Sequence, residues 1–338
     1  MSTITSREVH LVKRPTGLPT MDNFALASAD IPDPAEGQIR VRNLFMSVDP
    51  YMRGRMVDRK SYTPPFQLDE AMTGGCIGQV IESRHPDFNV GDVVSSFLGW
   101  REVYLSDGRG LTRIDPGSAP LSAYLGVLGM PGQTAYFGLL DIGQPKAGET
   151  VFVSAAAGAV GALVCQIAKL HGCRVVGSAG SDAKVAWLLE KAGVDAAFNY
   201  KTVPVAAGLA QNCPDGIDVY FENVGGEHLQ AAISRMNNFG RIAACGMIAL
   251  YNATEPIPAP HNLAAIIGKR IRMQGFIVSD FAAQNDRFVN DMSRWIEEGK
   301  IDWEETVLEG IEQAPQAFVG LFSGENLGKM VVNLAPSG

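Results

Sequence analysis

The sequence has few cysteines and histidines, and their spacing is not that of a metal or disulfide framework. Its five cysteines are an odd number without a CxxC pair, and its five histidines never stand at i and i+4 or in an HExxH motif. We therefore expect neither a disulfide framework nor a metal site. The cysteines are expected to be small buried hydrophobic residues. They are Cys76, Cys165, Cys173, Cys213 and Cys245.

Basic residues and long apolar runs are also scarce. The chain has 28 Lys and Arg against 36 Asp and Glu, a formal net charge of −8, and no basic run offsets it, so nucleic acid is excluded as a first candidate partner. No stretch resembles the uninterrupted span of about 20 apolar residues that crosses a bilayer. The N-terminal MSTITSREVHLVKRP lacks the apolar core of a signal peptide. We expect no membrane partner and a cytoplasmic location.

The overall composition is that of a folded protein with two domains. The chain has 338 residues, of which 46% are hydrophobic and 19% charged, and this length is about twice that of a usual domain. Short apolar runs between Pro and Gly clusters fill its first part, as is typical of an all-β domain. We predict a β domain over 1–125, completed by about 303–338, and a second domain over 126–302.

From Thr150 onward, strands alternate with helices. The strands are continuously apolar, and helical stretches stand between them, which indicates a parallel sheet covered on both faces. The predicted strands include Thr150–Val153, Arg174–Ser178, Ile217–Phe221 and Arg241–Cys245, and the predicted helices are Val160–Leu170, Asp182–Ala192 and Glu227–Met236.

The segment Val151–Gly161, VFVSAAAGAVG, has the form of a dinucleotide-binding loop. A strand leads through small residues to Gly158, and Gly161 opens a helix whose free N–H groups favour the negative charge of a pyrophosphate. Ala156 stands where the usual GxGxxG pattern has its first glycine. A tight turn is the alternative for the string alone. Its position between a strand and a helix, within a βα series, predicts a dinucleotide site.

The end of the next strand bears on the choice between NAD and NADP. No acidic residue stands there until Asp182, whereas Lys184 follows in the first turn of a helix that Ser181 is expected to cap. An ammonium group beside free helical N–H groups suits a ribose 2′-phosphate, and Tyr200 after the third strand is expected to contact the same phosphate. We therefore predict NADPH. A solvated Lys184 and an NAD site with Asp182 remain the alternatives at this point.

Eight motifs, in order along the chain, carry a resemblance to a known family. They are VDPYMRGRM (Val48–Met56), GMPGQTAYFGL (Gly129–Leu139), AAAGAVG (Ala155–Gly161), GSDAKV (Gly180–Val185), FNYKT (Phe198–Thr202), YFENVGG (Tyr220–Gly226), GRIAACGMIALYN (Gly240–Asn252) and ENLGKM (Glu325–Met330). Together they resemble the zinc-free medium-chain dehydrogenases/reductases. The resemblance is strongest to the double-bond (alkenal/enone) reductases, which include prostaglandin, plant alkenal and curcumin reductases.

This resemblance implies an α/β protein with a GroES-like β domain and a Rossmann domain with a doubly wound parallel sheet. It implies that Gly158–Gly161 contact the pyrophosphate of NADPH and that Lys184 and Tyr200 contact its 2′-phosphate. Further contacts are implied where segments follow strands, because open parallel sheets bind ligands there. The implied cofactor residues are Gly158, Ala159, Val160, Gly161, Lys184, Tyr200, Asn223, Cys245, Gly246, Met247, Ile248, Tyr251, Phe276, Ile277, Val278 and Asn326.

The resemblance also bears on the missing metal ligands. Zinc-dependent relatives have a ligand near Asp49, a Gly-His-Glu at the position of Gly75-Cys76, and another ligand near Gln133. Cys76 alone cannot complete a tetrahedral site. An alcohol dehydrogenase needs a Lewis acid to polarise the oxygen, so hydride transfer to an already activated carbon is the expected chemistry here.

The expected reaction is the NADPH-dependent reduction of the C=C bond of α,β-unsaturated aldehydes and ketones. It requires hydride transfer to the β-carbon, stabilisation of the enolate and a proton for the α-carbon. By the resemblance, Tyr251 is the active-site tyrosine, and Tyr51 and Tyr62 flank the substrate. A core residue with a bonded hydroxyl is the alternative for each tyrosine. Tyr251, water and the ribose hydroxyl are the alternative proton donors.

Other functions and partners are compatible with the same motifs. A quinone reductase of this fold is the first alternative, and a protein that binds NADPH without catalysis is the second. The expected partners are a small hydrophobic enone or alkenal and a second copy of the chain, because relatives pair through the sheet edge, here the Arg270–Phe276 region. Arg53 and Arg55 are expected to form surface salt bridges rather than to attract an anionic substrate.

Overall fold

The structure is a computed structural model that describes residues 3–335 except 116 and 118. The chain divides into two compact units. The first contains the described parts of Met1–Leu125, Glu305–Asn326 and Met330–Gly338, and the second contains Gly126–Glu304 and Leu327–Lys329.

The helices and strands follow one another in three groups. The first group is β1 (Ile4–Leu11), β2 (Phe24–Ile31), β3 (Ile39–Ser47), α1 (Met52–Arg55), β4 (Cys76–Ser83), β5 (Val93–Ser96), β6 (Val103–Ser106) and β7 (Thr112–Ile114). The second is α2 (Met130–Phe137), β8 (Thr150–Val153), α3 (Gly161–Leu170), β9 (Arg174–Ala179), α4 (Asp182–Glu190), β10 (Ala196–Asn199), α5 (Val205–Asn212), β11 (Ile217–Glu222), α6 (Gly226–Arg235), β12 (Met236–Ala244), α7 (Ala264–Lys269), β13 (Arg272–Gly275) and α8 (Asn285–Glu297). The third is β14 (Glu305–Glu309), α9 (Ala314–Ser323) and β15 (Lys329–Asn333).

The first unit is built on antiparallel strands. β1 pairs with β2, and a separate sheet has the order β14-β15-β3-β4-β5-β7, with β6 also on β3. Its core joins both ends of the chain: Phe24 stacks on Trp100 with ring centroids 6.2 Å apart, and Phe318 of α9 meets Trp100 edge-on at 6.2 Å. The C-terminal helix is therefore part of the same hydrophobic core as the N-terminal strands.

The second unit is a parallel sheet with helices between its strands. Its order is β10-β9-β8-β11-β12-β13, and every adjacent pair is parallel. The chain leaves β8 toward β9 on one side and later returns to β11 on the other, so the strand order reverses between β8 and β11. Open parallel sheets bind ligands at the carboxyl ends of the strands beside such a point. The predicted fold class, a β domain plus a doubly wound sheet, is confirmed.

The strands of this sheet form where the sequence is continuously apolar. β8 is wholly buried, and its Phe152 stacks on Tyr220 of β11 with ring centroids 4.9 Å apart. The largest difference from a predicted boundary is at β12, which begins at Met236 rather than Arg241, because Met236 already pairs with Ile217 before a bulge in the register. The helix α6 therefore ends at Arg235.

The cysteine side chains and the helices bear on the remaining predictions from the sequence. The five cysteines are all free thiols, and four are buried as predicted, while Cys245 is partly buried. Within the described ranges, no helix combines the length and the apolar character that crossing a bilayer requires.

Candidate functional site

The loop between β8 and α3 has a backbone that only small residues permit. Ala155 has a positive φ of 48°. A Cβ on Gly161 would lie 2.4 Å from the Ala155 carbonyl oxygen and 2.8 Å from the Ala156 Cα, so a larger residue at 161 would displace this backbone. The first N–H groups of a helix have no partner within the helix. Helix α3 begins at Gly161, so the predicted residues Gly158–Gly161, called the cradle below, lie at a helix N-terminus, a kind of position that favours an anionic group.

The segment that contains the motif ENLGKM borders this loop, and the sequence did not predict this contact. The Gly328 N–H donates to the Ala157 carbonyl at 3.0 Å, and Gly158 and Gly328 form a parallel bridge. A Cβ on Gly328 would lie 1.9 Å from the Glu304 carbonyl oxygen, so this position requires glycine. The predicted contact Asn326 is half-buried and stands two residues before Gly328 in the same ENLGKM motif.

The residues predicted for the 2′-phosphate gather at the ends of β9 and β10. The Ser181 side chain caps α4 by accepting the Lys184 N–H at 3.3 Å, as predicted. A Cβ on Gly180 would lie 3.0 Å from the Tyr200 hydroxyl and 3.4 Å from the Lys201 Cε. Burial, followed by the charge of Lys201, lowers the pKa of Lys184. Two ammonium groups and one phenol therefore lie close together, and Lys201 was not predicted.

Asp182 is the residue on which the alternative prediction of NAD rests. Its carboxylate accepts a hydrogen bond from another side chain of this unit. Its Oδ1 accepts the Asn199 side-chain N–H at 2.8 Å, and the Asn199 Oδ1 accepts the Lys201 N–H at 3.0 Å. The carboxylate of Asp182 thus ties the start of α4 to the end of β10.

His228 is a further residue that the sequence did not single out. Its ring meets the ring of Tyr200 edge-on, with centroids 5.0 Å apart. Burial lowers the pKa of His228 to about 4, so the imidazole is neutral at ordinary pH. The ring of His228 therefore packs against Tyr200 without adding a charge there.

The loops after β11 and β12 are hydrogen-bonded to each other. The Asn223 side chain donates to the Ser154 carbonyl at 2.8 Å, and the Ile248 N–H donates to the Asn223 carbonyl at 3.2 Å. The N–H groups of Cys245 and Gly246 donate to the Glu222 carbonyl at 3.0 and 3.1 Å. Four predicted cofactor residues, Asn223, Cys245, Gly246 and Ile248, are thereby brought together at the carboxyl ends of adjacent strands.

Tyr251 lies at the same edge of the sheet. It follows the short 3-10 turn Ile248–Leu250 and is partly buried. A Cβ on Gly246 would lie 3.1 Å from its hydroxyl oxygen, and a Cβ on Gly225 would lie 3.0 Å from the Cβ of Met247. Gly246 therefore leaves room for the Tyr251 hydroxyl, and Gly225 allows Met247 to approach the loop after β11 closely.

The last predicted cofactor segment, Phe276–Val278, follows the edge strand β13. All three residues are partly buried. Phe276 meets the Phe221 ring edge-on at 6.4 Å, and a Cβ on Gly138 would lie 2.4 Å from its ring. This ring is thus packed against the end of β11, beside the loops that carry the other predicted residues.

The substrate residues predicted in the first unit surround a buried arginine. Arg55 donates to the carbonyl oxygens of Pro64 and Thr73 at 2.9 and 3.2 Å. Its guanidinium interacts electrostatically with Tyr51 and Tyr62, and Tyr62 is 63% exposed. Burial, followed by the charge of Asp49, raises the pKa of Tyr51. Tyr51 therefore stays protonated, and Tyr62 is not a core residue.

The prediction that Arg53 and Arg55 form surface salt bridges is wrong, because both side chains are buried. The two residues are only 4% and 9% exposed. Arg53 donates to the Gly17 carbonyl at 2.9 Å, and the Arg55 guanidinium lies 4.0 Å from the centre of the Phe66 ring. A buried guanidinium needs hydrogen-bond acceptors, and backbone carbonyls supply them here.

Two protein families match most of the chain. The family described as the N-terminal domain of oxidoreductase matches residues 7–114, and the family described as zinc-binding dehydrogenase matches residues 159–298. In the part of the chain that the structure describes, no group of three or more His, Cys, Asp and Glu side chains is arranged to hold a metal ion.

Full-length relatives are similar along the whole chain. The NADPH-dependent curcumin reductase of Escherichia coli is 46% identical over 330 residues, 96% of this chain and 96% of that protein. Prostaglandin reductase 1 of Mus musculus is 47% identical over 327 residues, 95% of this chain and 97% of that protein. The crystal structure of CurA from Vibrio vulnificus in complex with NADPH has a TM-score of 0.94 and 46% identity, and covers 98% of this chain and 100% of that chain.

These matches confirm the resemblance that the eight motifs predicted. Identity of this level over nearly the whole length of both proteins shows common ancestry, and the two matched families divide between the two units of the fold. The chain therefore belongs to the medium-chain dehydrogenase/reductase family, in the group that contains the curcumin and prostaglandin reductases, and it is an oxidoreductase.

Proposed function

We propose that this oxidoreductase uses NADPH to reduce the carbon–carbon double bond of small hydrophobic α,β-unsaturated aldehydes and ketones. Its relatives are named curcumin reductase and prostaglandin reductase, and the similar CurA structure is a complex with NADPH. The observation on this chain that carries the proposal is the Tyr251 hydroxyl beside Gly246, among the loops at the carboxyl ends of the parallel strands.

The residues of the second unit fit NADPH. The cradle at Gly158–Gly161 lies at the N-terminus of α3, a position that suits the pyrophosphate. Lys184 and Tyr200, with Lys201 beside them, suit the 2′-phosphate. When bound, NADPH supplies the hydride that reaches the substrate β-carbon. The remaining proposed contacts are Asn223, Cys245, Gly246, Met247, Ile248, Tyr251, Phe276, Ile277, Val278 and Asn326.

Tyr251 is the proposed donor to the substrate carbonyl oxygen. Negative charge develops on this oxygen as the enolate forms, and a hydroxyl that is already in position stabilises the charge without reorganisation. Such a donor contributes roughly 10²–10³-fold to the rate. The α-carbon then receives a proton, from Tyr251 itself or from water or the ribose hydroxyl, and this step contributes roughly 10²–10⁴-fold.

Tyr51 and Tyr62 are the proposed substrate contacts from the first unit. The positive charge of the nearby Arg55 guanidinium polarises the O–H group of Tyr51. A donor polarised in this way suits a carbonyl oxygen. Tyr62, with its exposed ring, suits contact with the apolar part of an alkenal or enone.

The oxidation of NADPH with four compounds tests the proposed reaction. They are a medium-chain 2-alkenal, a conjugated aryl enone, a quinone and a saturated aldehyde, each repeated with NADH. The proposal predicts turnover of the first two with NADPH and none of the saturated aldehyde. Turnover of the quinone alone would support a quinone reductase of the same fold, and binding of NADPH without any turnover would support a non-catalytic protein.

A second copy of the chain is the proposed macromolecular partner. β13 is an edge strand of the six-stranded sheet, and its four residues are exposed. An exposed strand edge presents N–H and C=O groups that the same edge of another copy satisfies by a two-fold axis. We therefore propose a homodimer that pairs through the Arg270–Phe276 region.

A further inference from the structure

Glu222 is a buried carboxylate at the point where the strand order of the sheet reverses. It is the last residue of β11, the strand beside β8, and its side chain is wholly buried. Acidic residues are almost never buried to this extent unless their charge is compensated. The hydrogen-bond partners of Glu222 therefore show how its charge is compensated.

One oxygen of this carboxylate collects four donors. The Oε1 of Glu222 accepts the Tyr220 hydroxyl at 2.7 Å and the Ser154 hydroxyl at 3.2 Å. It also accepts the N–H groups of Val224 and Gly225 at 2.6 and 2.8 Å. Hydrogen bonds to an ionised acceptor are about twice as strong as neutral ones. The carboxylate thus fixes the backbone of the loop that follows its own strand.

The other oxygen has no partner among the described residues. The Oε2 of Glu222 is buried and accepts no hydrogen bond. Burial raises the pKa of Glu222, and the four donors only partly oppose this effect. A buried charge with one unsatisfied oxygen costs free energy of folding. Stability alone therefore does not account for a glutamate at this position.

The groups around Glu222 connect the loops that carry the proposed cofactor contacts. The Ser154 hydroxyl, which donates to Glu222, also accepts the Asn223 N–H at 3.0 Å. Ser154 directly follows β8 and begins the cradle loop. The backbone carbonyl of Glu222 accepts Cys245 and Gly246 from the loop after β12. One residue therefore links the carboxyl ends of three adjacent strands.

We propose that Glu222 is a positioning residue for the dinucleotide: it holds the loops after β8, β11 and β12 in the arrangement that receives the cofactor. This inference rests on the proposed use of NADPH. The loops in question contain no residue proposed for the 2′-phosphate, which Lys184 and Tyr200 contact instead. Loss of Glu222 is therefore expected to weaken the binding of NADPH and of NADH by the same factor.

The test measures binding rather than turnover. Dissociation constants for NADPH and NADH are determined by calorimetry on the full chain and on Glu222→Gln, well below the unfolding temperature of each. Because the amide keeps one acceptor oxygen and removes the charge, we expect both constants to rise about tenfold. Lys184→Gln is the comparison and should raise only the NADPH constant.

Glu149→Gln is the matched control for losing a carboxylate in the same unit. Glu149 stands at the opposite end of β8 and accepts Arg241 at 3.0 Å, so its loss should lower the unfolding temperature and leave both binding constants unchanged. If Glu222→Gln does not fold, Ser154→Ala removes the hydroxyl that joins Glu222 to Asn223. We expect it to raise both constants about threefold.

Two outcomes would overturn the inference. Unchanged binding of both cofactors to folded Glu222→Gln or Ser154→Ala would show that the loops hold their arrangement without the carboxylate. Weakened binding of NADPH alone would assign the effect to the 2′-phosphate instead. Failure of the unsubstituted chain to bind NADPH would contradict the proposed function itself. That result is distinct from the two outcomes above, which concern the variants only.

Discussion

The hydroxyl of Tyr251 lies directly over Gly246: a Cβ on that glycine would be 3.1 Å from the phenolic oxygen. The Gly246 N–H donates to the Glu222 carbonyl at 3.1 Å, so the backbone under the hydroxyl is fixed to the end of the neighbouring strand. A tyrosine hydroxyl held in this way, where parallel strands end, is suited to stabilise charge on a substrate oxygen.

Replacing Tyr251 by phenylalanine tests this role. We expect kcat for an enone to fall roughly 10²-fold, because the donor to the developing oxyanion is lost, while KM changes much less. Steady-state kinetics with NADPH at saturation measures both values. Tyr124→Phe is the control, since the Tyr124 hydroxyl donates to the Asp115 carbonyl in the first unit, and its kcat should not change. An unchanged kcat in Tyr251→Phe would remove this residue from the mechanism.

Replacing Lys184 by alanine tests the 2′-phosphate contact. A hydrogen bond to a charged group contributes about 1.5–3 kcal/mol, so NADPH affinity should fall roughly tenfold or more, while NADH affinity stays nearly constant. Lys191→Ala provides the control, because Lys191 is exposed at the far end of α4. Equal losses for both cofactors in Lys184→Ala would rule out a contact with the 2′-phosphate.

Replacing Gly161 by alanine tests the cradle. The new Cβ would lie 2.4 Å from the Ala155 carbonyl oxygen, so the loop backbone has to shift. We expect a loss of about 1–3 kcal/mol in the free energy of unfolding and weaker binding of NADPH and NADH alike. Gly268→Ala, in α7 and with open space at its Cβ, should instead be neutral or stabilising by up to about 1 kcal/mol. Full cofactor affinity in Gly161→Ala would contradict the assignment of this loop.

The buried His228 predicts a dependence of stability on pH. Its pKa falls from 6.5 in the unfolded chain to about 4 in the folded one, so between these values the unfolded chain binds more protons. Stability should therefore decrease as the pH falls from 7 to 5, by about 2 kcal/mol from this residue. Urea denaturation at the two pH values measures the change. His228→Phe should reduce it by this amount, and an equal pH dependence in the variant would assign it to other groups.

The strands of the second unit could be predicted because parallel strands buried on both faces are continuously apolar. Thr150–Val153 is a strand as predicted, and Ser181 caps α4. The importance of a glycine such as Gly161 could be predicted, because a Cβ at a position where two backbone segments lie close together would clash. The motif GMIALYN likewise indicated both Tyr251 and Gly246, although nothing in it revealed that the Tyr251 hydroxyl lies close to Gly246.

What the sequence did not reveal are contacts between residues far apart in the chain. His228 packs on Tyr200, Glu222 binds Ser154, and Gly328 borders the cradle loop, and no local pattern records such pairs. The environment of Arg55 also depends on residues far away in the chain. Its charge predicted a surface salt bridge, but backbone carbonyls satisfy its guanidinium inside the core.

The proposed dimer predicts a change in mass on substitution of the edge strand. Met273 of β13 is 36% exposed, and a glutamate there would bring like charges together across a two-fold axis. Light scattering should give twice the chain mass for the unsubstituted protein and a monomer for Met273→Glu. Val90→Glu, at a residue 65% exposed in the first unit, should remain a dimer. A monomeric unsubstituted chain would contradict the proposal.

The position of the transferred hydrogen tests the central claim most directly. A 2-alkenal is reduced with NADPH that carries deuterium at the transferred position of its nicotinamide ring, and the product is identified by NMR. We expect a saturated aldehyde with deuterium on the β-carbon, because hydride reaches that carbon while the carbonyl oxygen is stabilised. An allylic alcohol, with deuterium on the former carbonyl carbon, would contradict it.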